Sequence, residues 1–172
     1  MGAAVSLSVE QAEQRVDELA SLLIDAVDSG ASVGFMPPLS RAEARAYWRT
    51  VIAAMQDGSR VLLAVESNAR IAGTVQMALE PRANGRHRAE VMKLMVDRSA
   101  RRQGLAKALM SEAESTARRL GRTLLVMDTR KGGEAEKMCQ SLGYVRYGEV
   151  PGYARSGDGS LHTTVFFYRA LD

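Results

Sequence analysis

Residues 88–106 read Arg-Ala-Glu-Val-Met-Lys-Leu-Met-Val-Asp-Arg-Ser-Ala-Arg-Arg-Gln-Gly-Leu-Ala, and this segment is the most informative part of the sequence. Its first half is an extended apolar run typical of a strand, and from Arg102 onward apolar residues recur at helical spacing. The first amide groups of a helix have no internal partner, and the helix dipole is positive at that end. Glycine at position 104 leaves those amides uncovered, and Arg101 adds positive charge. The junction therefore predicts an anion site in which the helix begins near Arg102 with Gly104 in its first turn.

The flanking segments predict one mixed sheet with helices around it. A helix is expected over Val9–Ser29 and a second, capped by Ser40, to about Gln56. Further elements are strands at 61–65, 71–79, 89–96, 123–127, 144–150 and 161–168, and helices at 102–120 and 134–142. This order predicts an α/β (α+β) fold with a mostly antiparallel sheet flanked by helices on both faces, in a single domain spanning residues 1–172. By strict alternation, Glu90, Met92, Leu94 and Val96 are expected on one face of their strand and Lys93 on the other.

Composition excludes several classes of protein. The chain of 172 residues is 46% hydrophobic and 25% charged, as in soluble globular proteins, and it has no apolar stretch long enough to span a membrane. Without a signal peptide, a cytoplasmic protein is expected. A single cysteine predicts neither an internal disulfide nor a metal site. The arginine clusters contain no aromatic residues, so we expect no nucleic acid partner.

The pattern Val96-x-x-x-x-Arg101-x-x-Gly104-x-Ala106 resembles the coenzyme A pyrophosphate loop of the GNAT superfamily of N-acetyltransferases. The order of elements agrees with that superfamily over most of the chain. Four further segments, at 30–36, 88–96, 125–129 and 148–153, are similar to a member that acetylates a β-lactam-containing toxin. The resemblance implies acetyl-CoA as the acyl donor and direct attack by an amine of a small molecule, either amino-acid-like or a toxin or antibiotic. A monomer or homodimer is expected.

The resemblance also implies where the donor binds. Two neighbouring strands, one ending at Val96 and the other at Asp128, are expected to splay apart and admit the pantetheine arm. The backbone N–H of Met95 or Val96 is expected to face the thioester carbonyl. The implied cofactor-binding residues are Leu94, Met95, Val96, Arg101, Arg102, Gln103, Gly104, Leu105 and Ala106.

Two carboxylates are the candidate catalytic groups. Glu90 stands among apolar residues near the start of one splayed strand, and Asp128 ends the other. A carboxylate beside a dry cleft can have a raised pKa and accept a proton from an ammonium substrate. The alternative is that Glu90 pairs with a surface arginine such as Arg88 and that Asp128 only terminates its strand.

One departure from the family pattern concerns Cys139, which stands where many members have a tyrosine that protonates the departing thiolate. A thiol could donate that proton, but a half-buried cysteine is more often an inert core residue. A second reading is therefore a CoA-binding module with weak or no activity.

Phe35 and Tyr153 are candidate walls of the acceptor pocket, or else residues that anchor a loop and a turn. His162 is either a third pocket residue or a hydrogen-bonded strand residue.

Overall fold

A computed structural model describes residues 2–171 of the chain. The helices are α1 (Val9–Gln14), α2 (Val16–Asp28), α3 (Arg41–Gln56), α4 (Leu105–Arg119) and α5 (Glu134–Ser141). The strands are β1 (Val5–Ser6), β2 (Arg60–Ser67), β3 (Arg70–Leu79), β4 (Arg88–Val96), β5 (Leu124–Arg130), β6 (Val145–Arg155) and β7 (Leu161–Ala170).

One seven-stranded sheet in the order β1-β2-β3-β4-β5-β7-β6 runs through these residues. Only the β4–β5 pair is parallel, and the helix α4 makes the crossover between them. A first core, around Leu109 and Phe167, packs α4 and α5 on one face of the sheet. A second core, around Leu23 and Trp48, packs α2 and α3 on the other. The predicted mixed sheet with helices on both faces is confirmed.

The first helix is interrupted, contrary to the prediction of one helix over Val9–Ser29. Arg15 adopts φ −112° and ψ 18°, which ends α1 and starts α2. Its guanidinium forms ion pairs with Glu18 and Glu66, so a long-range contact to the end of β2 holds the break. Helical periodicity continues through the break, and the sequence therefore hides it.

A β-bulge in β4 overturns the predicted alternation of that strand. Met92 pairs with Gln76 and Met95 with Thr74, so β4 has two residues where β3 has one, and Lys93 adopts φ 54°. A bulge reverses the side-chain parity beyond it. Val91 consequently packs in the first core before the bulge, whereas Met95 packs in the second core after it.

The prediction that Glu90, Met92, Leu94 and Val96 share one face is therefore wrong. Leu94 and Val96 pack against the first core, on the α4 side. Met92 lies on the α3 side, where its sulfur contacts the Arg60 guanidinium at 3.2 Å. Glu90 and Met92 are two residues apart and both lie before the bulge, so the Glu90 side chain also faces the α3 side.

Candidate functional site

The strands β4 and β5 diverge soon after they meet. Their parallel register covers only Arg88–Glu90 opposite Leu124–Val126. Beyond it, β4 keeps pairing with β3 as far as Val96, and β5 keeps pairing with β7 as far as Arg130. The expected splay is thus present, and it opens a wedge between the two strands directly after Glu90.

Glu90 and Asp128 lie on the same side of this wedge. Asp128 is two residues beyond Val126, the register partner of Glu90, and it lies within β5, which continues to Arg130, beyond the predicted end of the strand. Both side chains reach solvent, yet enough protein surrounds them for burial to raise the pKa of each carboxyl group. The negative charge of Asp128 raises the pKa of Glu90 further.

Lys93 lies between these carboxylates and the loop after α2. A Cβ atom placed on Gly34 of that loop would be 3.0 Å from the Lys93 Nζ atom. Burial lowers the pKa of Lys93, and the charges of Asp128 and Glu90 oppose that shift. Lys93 forms no ion pair with either carboxylate within residues 2–171, so both carboxylates remain available as acceptors. The bulge at Lys93 keeps this ammonium near the carboxylates, contrary to the expectation that it faces away.

Arg60 completes a charge-balanced group of two carboxylates and two cations. Its Nη1 atom donates to Gln76 Oε1 at 2.7 Å, and Gln76 Nε2 donates to the Tyr47 hydroxyl at 3.0 Å. The positive charge of Arg60 lowers the pKa of both Glu90 and Lys93. The network is largely buried beneath the site and therefore fixes where Arg60 lies.

The helix α4 begins later than predicted, at Leu105 rather than near Arg102. Gly104 is its N-cap with φ 79° and ψ 3°, and Arg102 also has a positive φ of 62°. The first intrahelical bond runs from the Ala108 N–H to the Gly104 carbonyl at 3.0 Å, which leaves the amides of residues 105–107 without an intrahelical acceptor. These amides and the left-handed turn before them lie where the sequence predicts the anion site.

The geometry of this loop fits a pyrophosphate. A Cβ atom on Gly104 would meet no atom within 4 Å, so the approach to the helix start is open. Arg102 and Gln103 are exposed beside it, and Ala106 presents only a methyl group. Arg101 is instead braced, because its guanidinium donates to Ser29 Oγ at 2.7 Å and to the Val96 carbonyl at 3.3 Å. The Leu105 side chain is buried in the first core, which leaves only its backbone for a ligand.

Cys139 does not reach the cleft. Its side chain is fully buried in the first core, with the Sγ atom 3.6 Å from the Met127 sulfur. Burial raises the pKa of the thiol to about 11. A buried thiol of that acidity has the character of a structural residue, which favours the inert interpretation of Cys139.

A cavity of about 320 Å³ lies between the loop after α2 and the β6–β7 hairpin. Phe35 forms part of its wall and packs edge-on against Tyr47, with ring centroids 5.0 Å apart. His162 lines it too and is 9% exposed. The cavity contacts Gly34, the residue next to Lys93, and so adjoins the charged group.

Tyr153 lies outside the lining of this cavity. The strand β6 continues through Pro151–Gly152, where a register shift replaces the expected turn. The Tyr153 ring packs edge-on against Phe166 at 5.3 Å, and Phe166 is the register partner of Asp128. Phe166 therefore lies between Tyr153 and the neighbourhood of Asp128.

Lys93, Arg130 and Phe166 are site residues that the sequence did not single out. The one signal for Lys93 was a charged residue inside an apolar strand. Arg130 and Phe166 gave none, since their place depends on the β5–β7 register.

A mixed sheet that splits between β4 and β5, with α4 beginning at an open loop, is the fold of the acetyltransferase class. The model of the acetyltransferase (GNAT) family matches residues 17–144, and the chain belongs to that family. GNAT enzymes take acetyl-CoA as the acyl donor, and this chain is accordingly an acetyl-CoA-dependent acyltransferase.

Solved structures share the fold at low sequence identity. An N-acetyltransferase from Staphylococcus aureus is 19% identical with a TM-score of 0.81, covering 100% of this chain and 99% of that one. A ribosomal-protein-alanine N-acetyltransferase from Brucella melitensis is 20% identical with a TM-score of 0.78, covering 98% and 99%. The protein yncA from Salmonella typhimurium, solved with its cofactor acetyl-CoA, is 18% identical with a TM-score of 0.79, covering 98% and 93%.

Residues 2–171 contain neither a candidate membrane span nor a candidate metal cluster. No helix there is both long and apolar enough to cross a membrane. No group of three or more His, Cys, Asp or Glu side chains in that range could hold a metal ion.

Proposed function

We propose that this protein transfers an acetyl group to the amine of a small molecule, with Glu90 or Asp128 accepting the proton that the amine must lose. The acceptor is amino-acid-like or a toxin or antibiotic. The segments at 30–36, 88–96, 125–129 and 148–153 resemble the tabtoxin resistance acetyltransferase, which supports that choice. We infer that the chain works as one domain, since a single sheet carries both cores.

The observation that carries the proposal is the pair of carboxylates at the mouth of the wedge. Both have raised pKa values because protein surrounds them, and neither is paired with Lys93. An acetyl transfer needs a neutral amine, and a carboxylate with a raised pKa is a better proton acceptor than an ordinary one. The two groups share one face of the sheet, so a substrate ammonium at either one lies within the field of the other.

The residues of the loop support the same function by holding the donor. Coenzyme A has a pyrophosphate, and acetyl-CoA supplies a thioester that an amine can attack. The amides of residues 105–107, exposed at the start of α4, would hold the pyrophosphate, with Arg102 and Gln103 beside them. Leu94, Met95 and Val96 form the edge of β4 that faces the wedge, where a backbone N–H would polarise the thioester carbonyl.

The test is thiol release from acetyl-CoA in the presence of an amine panel, which contains amino acids, aminoglycosides, β-lactam amines and an alanyl peptide. We expect one class of small amine to raise thiol release above hydrolysis. At least one of the two variants Glu90→Gln and Asp128→Asn should lose 100-fold or more in kcat/KM. A loss of that size is within the usual contribution of a general base to the rate.

The matched control is Glu13→Gln, an exposed carboxylate on α1, which should leave the rate unchanged. Full activity in both carboxylate variants would show that the acceptor loses its proton without help from the protein. Activity on the alanyl peptide alone would contradict a small-molecule acceptor.

A CoA-binding module without turnover is the second candidate, and the burial of Cys139 favours it. The family position of the acid is filled by a thiol that cannot reach the cleft. This function predicts tight binding of CoA and no thiol release with any amine. Burial of Cys139 does not exclude turnover, because a thiolate can also leave without a proton donor. The same amine panel therefore decides between the two functions.

A further inference from the structure

The wall of the 320 Å³ cavity has charged groups as well as apolar ones. Its volume falls in the range of small-molecule pockets, which is roughly 300 to 1,000 Å³. Phe35 and Met36 give it an apolar side, while Arg130, Arg155 and Asp28 bring two positive charges and one negative. Such a pocket suits a small ligand with a single negative group.

Arg130 is the second cation of this wall, and its positive charge adds to the Ser160 hydrogen bonds that lower the pKa of Asp158. Arg130 is the last residue of β5, two residues beyond Asp128, so the two side chains leave the same face about 7 Å apart along the strand. Its guanidinium forms no hydrogen bond or ion pair with any residue in 2–171. The Arg155 guanidinium, by contrast, donates to the Gly159 carbonyl at 2.7 Å. An unpaired guanidinium facing a cavity is suited to a carboxylate.

His162 brings a second polar group to the same cavity. Its Nε2 atom lies 3.4 Å from the Ser32 hydroxyl oxygen, while its Nδ1 atom is buried and has no partner within residues 2–171. When the serine hydroxyl donates to Nε2, the proton of the neutral ring resides on Nδ1. A buried N–H without an acceptor is destabilising, and a ligand carboxylate would satisfy it.

We propose that this cavity binds a carboxylate of the acceptor, held by Arg130 and the Nδ1–H of His162, while the amine of the same molecule lies at Asp128. The inference rests on the proposed function and deepens it, because it restricts the acceptor to amines that bear a nearby anionic group. The short spacing from Asp128 to Arg130 fits an α-amino acid or a compact amino-acid-like compound. Asp28, on the same wall, disfavours a polyanion.

The experiment measures binding without turnover, by calorimetry on protein saturated with CoA. The probes are L-methionine, L-methioninamide and 3-(methylthio)propylamine, and likewise L-phenylalanine, its amide and 2-phenylethylamine. We expect each amino acid to bind at least tenfold more tightly than its amide or decarboxylated amine. In Arg130→Gln this preference should fall below twofold. In the control Arg49→Gln, an exposed arginine on α3, it should persist.

His162 is tested by two conservative variants. Asparagine places an amide N–H near the position of Nδ1, whereas glutamine places it near Nε2. We therefore expect His162→Asn to keep most of the preference for the carboxylate and His162→Gln to lose it. Retention of the preference in both variants would remove His162 from the proposal, and equal loss in both, with unchanged thermal unfolding, would show that Nδ1 is not the atom that binds the carboxylate.

The remaining outcomes separate this inference from the proposed function. Equal binding of all six probes, no binding of either amino acid, or a preference that survives in Arg130→Gln would overturn the carboxylate site. A preference for carboxylates without thiol release from any amine would leave the site standing and reject the transferase. Thiol release that does not depend on a carboxylate in the acceptor would support the transferase and reject the carboxylate site.

Discussion

Replacing Gly104 with glutamate tests the anion site most directly. Gly104 has φ 79° at the start of α4, and a side chain there would enter open space in front of the first amides. A side chain in this left-handed conformation costs about 1–2 kcal/mol of folding free energy. That cost falls on the free and the bound protein alike, so it does not change the dissociation constant of CoA.

The loss of binding has two parts. The carboxylate repels the pyrophosphate, and for charges about 6 Å apart in water each pair contributes ~0.7 kcal/mol. Covering the helix start removes a favourable term of up to about 1 kcal/mol. Together these amount to roughly 2 kcal/mol, which corresponds to an increase of about thirtyfold in Kd.

The same helix provides a matched control. Gly121 follows the C-terminal end of α4 with φ 68°, and a Cβ atom there would also meet nothing within 4 Å. Gly121→Glu therefore has the same strain and the same charge at the end away from the anion site. Isothermal calorimetry with CoA should give a Kd close to wild type for this variant. Gly104→Gln, without the charge, should lie in between.

Two results would refute the assignment of the loop. One is a Kd for Gly104→Glu within threefold of wild type in a protein that remains folded by circular dichroism. The other is an equal loss in Gly121→Glu, because the effect would then come from net charge or stability and not from the helix start.

Three further predictions concern other parts of the site and core. Cys139→Ala should keep its activity within twofold and lower Tm by about 2–4 °C, since ~1 kcal/mol in a chain of this size has that effect; a large fall in kcat at unchanged Tm would instead make the thiol the acid. Lys93→Met removes a positive charge that lowers the pKa of both carboxyl groups, so the acidic limb of kcat/KM should move to higher pH, while Lys93→Arg keeps it in place. A limb that does not move would contradict the electrostatic role. Gly73→Ala should destabilise the protein by about 1–3 kcal/mol in chemical denaturation, because its Cβ would lie 2.9 Å from the Met95 carbonyl oxygen. Gly148→Ala, in open space on β6, should not.

Much of the fold follows from local signals in the sequence. Ser40 caps α3 through a capping box with Glu43, which is a pattern within four residues. The strand before the anion loop and the helix after it were also predicted, because a change of period from two to 3.6 is local. The place of Glu90 on β4 follows from the same local pattern, because this residue precedes the point where the alternation of β4 fails.

The bulge at Lys93 could not be predicted from the same pattern. Most positions of β4 are apolar and the strand is covered on both faces, so no alternation records its register. The extra residue is specified by pairing with Thr74 and Gln76, which are about 20 residues away in the chain. For the same reason Arg130 was not singled out beside Phe35 and His162, because only the tertiary fold brings the three residues to one cavity.

The bulge allows β4 to pack against both cores and also to hold Lys93 beside the carboxylates. By reversing parity it turns Leu94 and Val96 toward the α4 side, while Lys93 stays near the carboxylates on the other side. With Cys139 buried, the proposed place of proton exchange in the wedge is this charged group. The carboxylates can accept the proton of the amine, and a thiolate can leave without one. The alkaline side of the pH profile should therefore follow the ionisation of the acceptor amine and shift when the acceptor is exchanged for one of different basicity.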